Sequence, residues 1–159
     1  MRTLTTLLIG LLLVNCTNPV EPVYTYSISK ELQPYVREVL TTLKFHDIEF
    51  KKQSFIVVFD ADIIRTPLAG QARGMDNDNL VYVIINPVIW SKLTVKERRH
   101  VIFHELAHDI FNTEHTFDVE LMKPSMPSPQ ASFYMDINRE IELLMKHIKL
   151  KNTRDIILI

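Results

Sequence analysis

Residues 94–111 constrain this chain more than any other stretch. Thr94-Val95-Lys96-Glu97 has the form of a capping box, in which Thr94 caps a helix start and Glu97 reaches back to the cap. A helix is predicted from there to about Phe111. Inside it stands His104-Glu105-Leu106-Ala107-His108, the HExxH pattern. At about 100° per residue, positions four apart lie one turn apart on the same face, so both imidazoles can reach one ion. Glu105 lies beside that face and can touch a water on the ion without binding the ion itself. Ile102, Phe103, Leu106 and Ile110 point the other way, and the polar stripe is shared by Val101 and Asn112. A helix packed on its back with its ligands on one stripe requires a sheet or other helices behind it.

The flanking sequence supplies them. Leu32, Tyr35, Val36, Val39, Leu40 and Leu43 follow the 3–4 spacing of an amphipathic helix, which Pro34 restricts to starting near that residue. Phe55–Phe59 (FIVVF) and Leu80–Ile85 (LVYVII) are short β-branched and aromatic runs, predicted as buried strands, and Asn86-Pro87 stops the second. Gly70 and Gly74 stand in the polar stretch between them, which predicts an edge strand near 69–74 and a turn at Asp76–Asn79. A last helix is predicted over about 132–150, with Phe133, Ile137, Ile141, Leu144, Met145 and Ile148 on one side. The order implies an α+β domain, a mixed sheet packed on the helix of the motif with one helix before it and one after.

The chain start is separate. After Met1-Arg2, an apolar run from Leu4 to Val14 suits the core of a secretory signal and is too short to span a bilayer stably. It ends at Leu13-Val14-Asn15-Cys16, and Cys16 is the only cysteine, which excludes an internal disulfide. This resembles the lipobox of bacterial lipoproteins, whose cysteine is lipidated. Residues 1–15 are therefore expected to be a signal peptide, 16–27 a tether carrying Pro19 and Pro22, and 28–159 the domain. The expected place is the bacterial cell envelope, with the membrane as partner through a lipid on Cys16. The net charge of −1 gives no ground for a nucleic-acid role, and a monomer is expected.

A catalytic zinc takes three protein ligands and leaves one position open. His104 and His108 supply two. His115 is the leading candidate for the third, because Asn112 can take the left-handed turn that folds the chain back. Glu114, Asp118 and Glu140 are the alternatives. His46, His100 and His147 read as plain surface or core histidines, and Tyr82 and Trp90 as core. Tyr134 is a candidate second donor to a developing oxyanion, or a core residue.

His104-Glu105-x-x-His108, a turn residue, His115, and then Leu121-Met122-Lys123-Pro124-Ser125 resemble the metzincin family of zinc peptidases, whose pattern is HExxHxxGxxH followed by a Met-turn. Here Asn112 replaces the glycine, and Asn112 and His115 each sit one place later. The chain is more similar still to small metallopeptidase-like lipoproteins of Gram-negative bacteria. The resemblance implies a small metzincin-like domain with Met122 beneath the metal as the Met-turn, Met126 being its rival. It also implies that the strand around Gly70–Gly74 borders the cleft and pairs with extended substrate. The function so indicated is a membrane-anchored zinc endopeptidase with one catalytic Zn2+ and Glu105 as general base, acting on peptide or protein. A non-catalytic binding lipoprotein and a zinc hydrolase of cell-wall peptides are the other two readings.

Overall fold

The computed structural model describes residues 26–77 and 79–157. The expected signal peptide, Cys16 and most of the expected tether lie outside the described residues. Within them the chain forms four strands, β1 (Tyr26–Ile28), β2 (Ser54–Phe59), β3 (Gly70–Ala72) and β4 (Leu80–Ile85). The helices are α1 (Gln33–Phe45), α2 (Pro87–Trp90), α3 (Val95–Phe111), α4 (Pro129–Tyr134) and α5 (Ile137–Ile157). The fold is α+β, with a small mixed sheet in the order β1-β2-β4-β3.

β1, β2 and β4 run parallel, with Tyr26 opposite Phe55 and Phe55 opposite Val81. β3 runs antiparallel to β4, with Gly70 opposite Ile85 and Ala72 opposite Val83. Parallel strands require crossovers, and α1 supplies the one between β1 and β2. β2 and β4 bury alternate residues (Phe55 and Val57; Val81 and Val83) beneath the helices. α3 lies against β3, β4 and α1, and α5 packs against α3.

α1 begins beside Pro34 as its fixed φ demands, and buries Val36, Val39 and Leu43. Its end is turned by Asp47, one of two non-glycine residues with positive φ among those described. The capping box on α3 is formed. The Glu97 carboxylate accepts from the Thr94 backbone N–H at 2.8 Å, and the Thr94 hydroxyl accepts from the Glu97 N–H at 3.3 Å. Asn112 ends α3 in the left-handed conformation, with φ 48°. Lys151 from α5 donates to the carbonyls of Phe111 and Asn112, groups that a helix end leaves without internal partners. Ile102, Phe103 and Leu106 are almost completely buried, as their positions on the helix require.

Two expectations are corrected and a third is extended. The tether does not extend through Ser27, because Tyr26 and Ser27 already pair with β2 as part of β1. The last helix is two. Ser128 caps α4, and Asp136 stops its continuation by accepting from the backbone N–H groups of Asn138 and Arg139, which starts α5 afresh. Phe133 therefore leaves the buried stripe and is 75% exposed, while Ile137, Ile141, Leu144, Met145 and Ile148 keep it. Finally, Asn86-Pro87 ends β4 and also opens α2. The Asn86 side chain accepts from Val88 and Ile89, and Pro87 occupies the first turn.

Candidate metal centre

The histidine-bearing stripe of α3 forms the floor of a cleft of about 750 Å³. One wall is the segment Pro67–Ala72, which includes β3, and the other is formed by 113–115 and 123–126. His104, Glu105, His108 and His115 all line it.

The three imidazoles converge. His104 Nε2 lies 3.0 Å from His108 Nε2 and 3.3 Å from His115 Nε2. Each residue of the trio offers one ligand atom within 4.8 Å of the other two. Two nitrogens each about 2.0–2.1 Å from one tetrahedral zinc would lie about 3.3–3.4 Å apart, so the observed separations fit a shared ion.

Hydrogen bonding on the far side of the rings strengthens the fit. His104 Nδ1 lies 2.6 Å from the Leu121 carbonyl oxygen, and His108 Nδ1 meets the Thr113 carbonyl oxygen. A carbonyl can only accept, so each Nδ1 carries the proton and each Nε2 presents a lone pair. In the neutral rings those two lone pairs face each other with no proton between them. Repulsion of that kind is relieved by a cation between the rings, and backbone carbonyls commonly accept from the other ring nitrogen of a metal-bound histidine. The protonated alternative is disfavoured. Burial pushes His104 down to about 3, with neighbouring imidazoles adding to the effect against the Leu121 carbonyl, and burial also lowers His108.

The loop after α3 delivers the third ring. Asn112 reverses the chain, Thr113 turns its carbonyl back to His108, and His115 arrives over His104 with its ring 5.2 Å away. Among the described residues, the metal-capable cluster contains neither Glu114, Asp118 nor Glu140. Glu114 lines the cleft without joining the cluster, and Asp118 is exposed on the far side of the loop.

Glu105 is turned from the triad toward the sheet. It is 8% exposed and packs against β3, where a Cβ on Gly70 would stand 2.8 Å from its Cγ. Burial raises its carboxyl to about 7, against a hydrogen bond from the Ala72 backbone that favours the anion; Asp109 raises it further. A carboxyl group so placed can both accept and return a proton near neutral pH.

Met122 is completely buried in the core. It follows directly on Leu121, whose carbonyl holds His104, and its own carbonyl accepts from the Thr116 N–H at 2.9 Å. The short 3-10 turn Glu120–Met122 thus braces both His104 and the loop carrying His115. Met126 lines the cleft instead. Tyr134 is 84% exposed and lies outside the cleft lining. Trp90 is core, as expected, with its Nε1 donating to Glu31; Tyr82 is only half-buried. His46 pairs with Glu142 at 3.3 Å, and His147 lines a second cavity that His115 also lines, without joining the converging trio.

Two features were not legible as functional. His100, one turn before His104, is 2% exposed, lines the cleft, and leaves its Nδ1 without a hydrogen-bond partner among the described residues. Burial lowers its pKa to about 4, so it is neutral at pH 7. Asp109, the residue after His108, is fully buried and pairs with Lys52 at 2.9 Å. The available signal was its place on the core-facing side of α3, in line with Ile102 and Leu106, where a carboxylate requires a partner.

Among the described residues, no helix is long and apolar enough to cross a membrane. Comparison with known proteins returned no matching family, no matching curated protein and no matching solved structure.

Proposed function

We propose that this chain is a zinc-dependent endopeptidase with His104, His108 and His115 as metal ligands and Glu105 as general base. The carrying observation is the convergence of three imidazole nitrogens, two of them on rings whose opposite nitrogens are tied to backbone carbonyls. Three neutral nitrogens, with the cleft on their open side, are the donor set of a catalytic rather than a structural zinc site. Zinc bound there supplies Lewis-acid polarisation of a scissile carbonyl and acidifies water.

The protein's own groups do the rest. His104 and His108 are held in one tautomer and one orientation by Leu121 and Thr113. Glu105 takes a proton from the attacking water and returns it to the leaving amine. β3 is an edge strand, paired with β4 on one side only, and its free side borders the cleft. An extended peptide can add to such an edge by main-chain hydrogen bonds, which orient a substrate without reading its side chains. The antiparallel edge strand beside the ligand helix agrees with a metzincin-like domain, in which Met122 serves as the Met-turn. The same proposal places the enzyme in the bacterial envelope, tethered through a lipid on Cys16.

The test is Glu105→Gln, which keeps side-chain size and leaves all three imidazoles in place. Zinc content is expected to stay unchanged while peptide cleavage falls by about 10²–10⁴-fold. Full cleavage by the variant removes Glu105 from the chemistry. A zinc-loaded wild type that cleaves nothing across a broad peptide library makes the chain a binding protein.

A further inference from the structure

Lys52 and Asp109 are 57 positions apart in the chain and form an ion pair with side chains only 7% and 0% exposed. Burying two charges is costly, and a pair of this kind adds little stability over apolar residues of the same volume. What it does here is hold three backbone atoms. One Asp109 carboxylate oxygen accepts from the N–H groups of Gly74 at 2.7 Å and Tyr82 at 3.2 Å, and the other accepts from Lys52 Nζ. Lys52 also donates to the Gly74 carbonyl.

These atoms mark the place where the edge strand leaves its neighbour. β3 pairs with β4 through Ala72, and one further bond runs from the Arg73 N–H to the Tyr82 carbonyl at 2.7 Å. Beyond it the strands part, and the N–H of Tyr82 would lack a partner without Asp109. Gly74 fits only because it has no side chain. A Cβ there would stand 2.5 Å from the Leu80 carbonyl oxygen, 2.7 Å from the Tyr82 nitrogen and 2.8 Å from Asp109. Asp109 is carried by α3 directly after His108, so the same helix holds the metal ligands and the end of the strand.

We propose that Asp109, braced by Lys52, is a positioning residue that fixes the free edge of β3 at the distance from the metal that an extended peptide must span. This rests on the peptidase reading, and in particular on peptide pairing with β3. Its consequence is a division of labour along one helix. His104 and His108 would hold the metal that engages the reacting end of the substrate, and Asp109 sets the strand that holds its backbone. The residue would govern affinity for the peptide arm and leave metal binding alone.

Asp109→Asn separates these roles. An amide has one accepting oxygen and cannot serve both Lys52 and the two N–H groups. Zinc-loaded wild type and variant are titrated with acetohydroxamate, which engages only the metal, and with an extended tripeptide hydroxamate, which adds a peptide arm. Amide hydrogen exchange at Gly74 and Tyr82 is followed on the same samples. Because the peptide arm binds through main-chain hydrogen bonds to β3, the variant is expected to lose about tenfold or more of its affinity for the tripeptide compound. Acetohydroxamate affinity and zinc content should be unchanged, and the two amides should exchange faster. Lys52→Met, which leaves the carboxylate without its brace, should show the same split. Equal losses for both compounds overturn the proposal, since Asp109 would then act on the metal site or on stability at large. No loss for either, with faster exchange, also overturns it and leaves the pair a purely structural tie. A wild type that gains no affinity from the peptide arm refutes peptide pairing with β3, and the positioning role falls with it.

Discussion

Replacing Lys52 with methionine removes one charge from a pair with almost no access to water, and its cost follows from what remains. Methionine matches the length of the lysine stem, so little packing is lost. The Asp109 carboxylate loses its cationic partner, and the Gly74 carbonyl loses a donor. Breaking a buried pair from one side costs about 3–5 kcal/mol, because an uncompensated charge stays in the interior. Domains are stable by only about 5–15 kcal/mol, so this is a large share. At about 4 °C per kcal/mol for a domain of this size, the melting temperature should fall by about 12–20 °C. The assay is urea and thermal unfolding of both proteins in chelator, so that metal binding does not add its own linkage. The double variant Lys52→Met/Asp109→Leu removes the stranded charge but leaves the N–H groups of Gly74 and Tyr82 without their acceptor, so it should stay destabilised relative to the wild type. A loss under about 1 kcal/mol in the single variant would show that water reaches Asp109 and that the pair is not buried as described.

Other expectations follow from neighbouring contacts. Gly74→Ala meets backbone on two sides and should cost about 1–3 kcal/mol by overpacking, read from urea unfolding; Gly70→Ala meets mainly the Glu105 side chain and should lower cleavage more than stability. His115→Ala should lose most of its zinc by metal analysis while Asp118→Ala keeps it, because only His115 joins the converging nitrogens. His100→Phe should raise apo-protein stability at pH 5, because it removes a buried nitrogen without a partner. The sign of its pH dependence is fixed. Burial lowers the folded pKa of His100 to about 4 from 6.5, so its penalty is absent above pH 6.5 and grows as pH falls toward 4. The advantage of the phenylalanine variant in denaturant melts should grow over the same window, and a constant difference would refute it.

The helix carrying the motif was legible because its signals are local. Thr94 and Glu97 are three residues apart, His104 and His108 four, and Asn112 needs only its own backbone to reverse the chain. The strands at 54–59 and 80–85 were visible for the same reason, as short apolar runs ended by Asn86-Pro87. The boundary at Asp136 was hidden because the apolar spacing of Ile137–Ile148 can be extended back to Phe133, and only the capping bonds of Asp136 show that the helix restarts. β1 was hidden because Tyr26-Ser27-Ile28 is three residues long and becomes a strand only by pairing with β2. The choice of His115 over Glu114, Asp118 and Glu140 depended on which way the loop turns. The Lys52–Asp109 pair could not be read as a pair, since nothing in either neighbourhood points to a partner 57 residues away. His100 was passed over because its significance lies in an absent hydrogen bond, which only coordinates reveal.

The most direct test of the central claim is zinc K-edge X-ray absorption on the protein from residue 17 onward, loaded with one equivalent of zinc, beside the His115→Ala variant. Three imidazole nitrogens and one oxygen at about 2.0–2.1 Å are expected in the wild type, with one imidazole fewer in the variant. A wild type that fails to hold stoichiometric zinc, or a first shell unchanged by His115→Ala, would contradict the three-histidine centre.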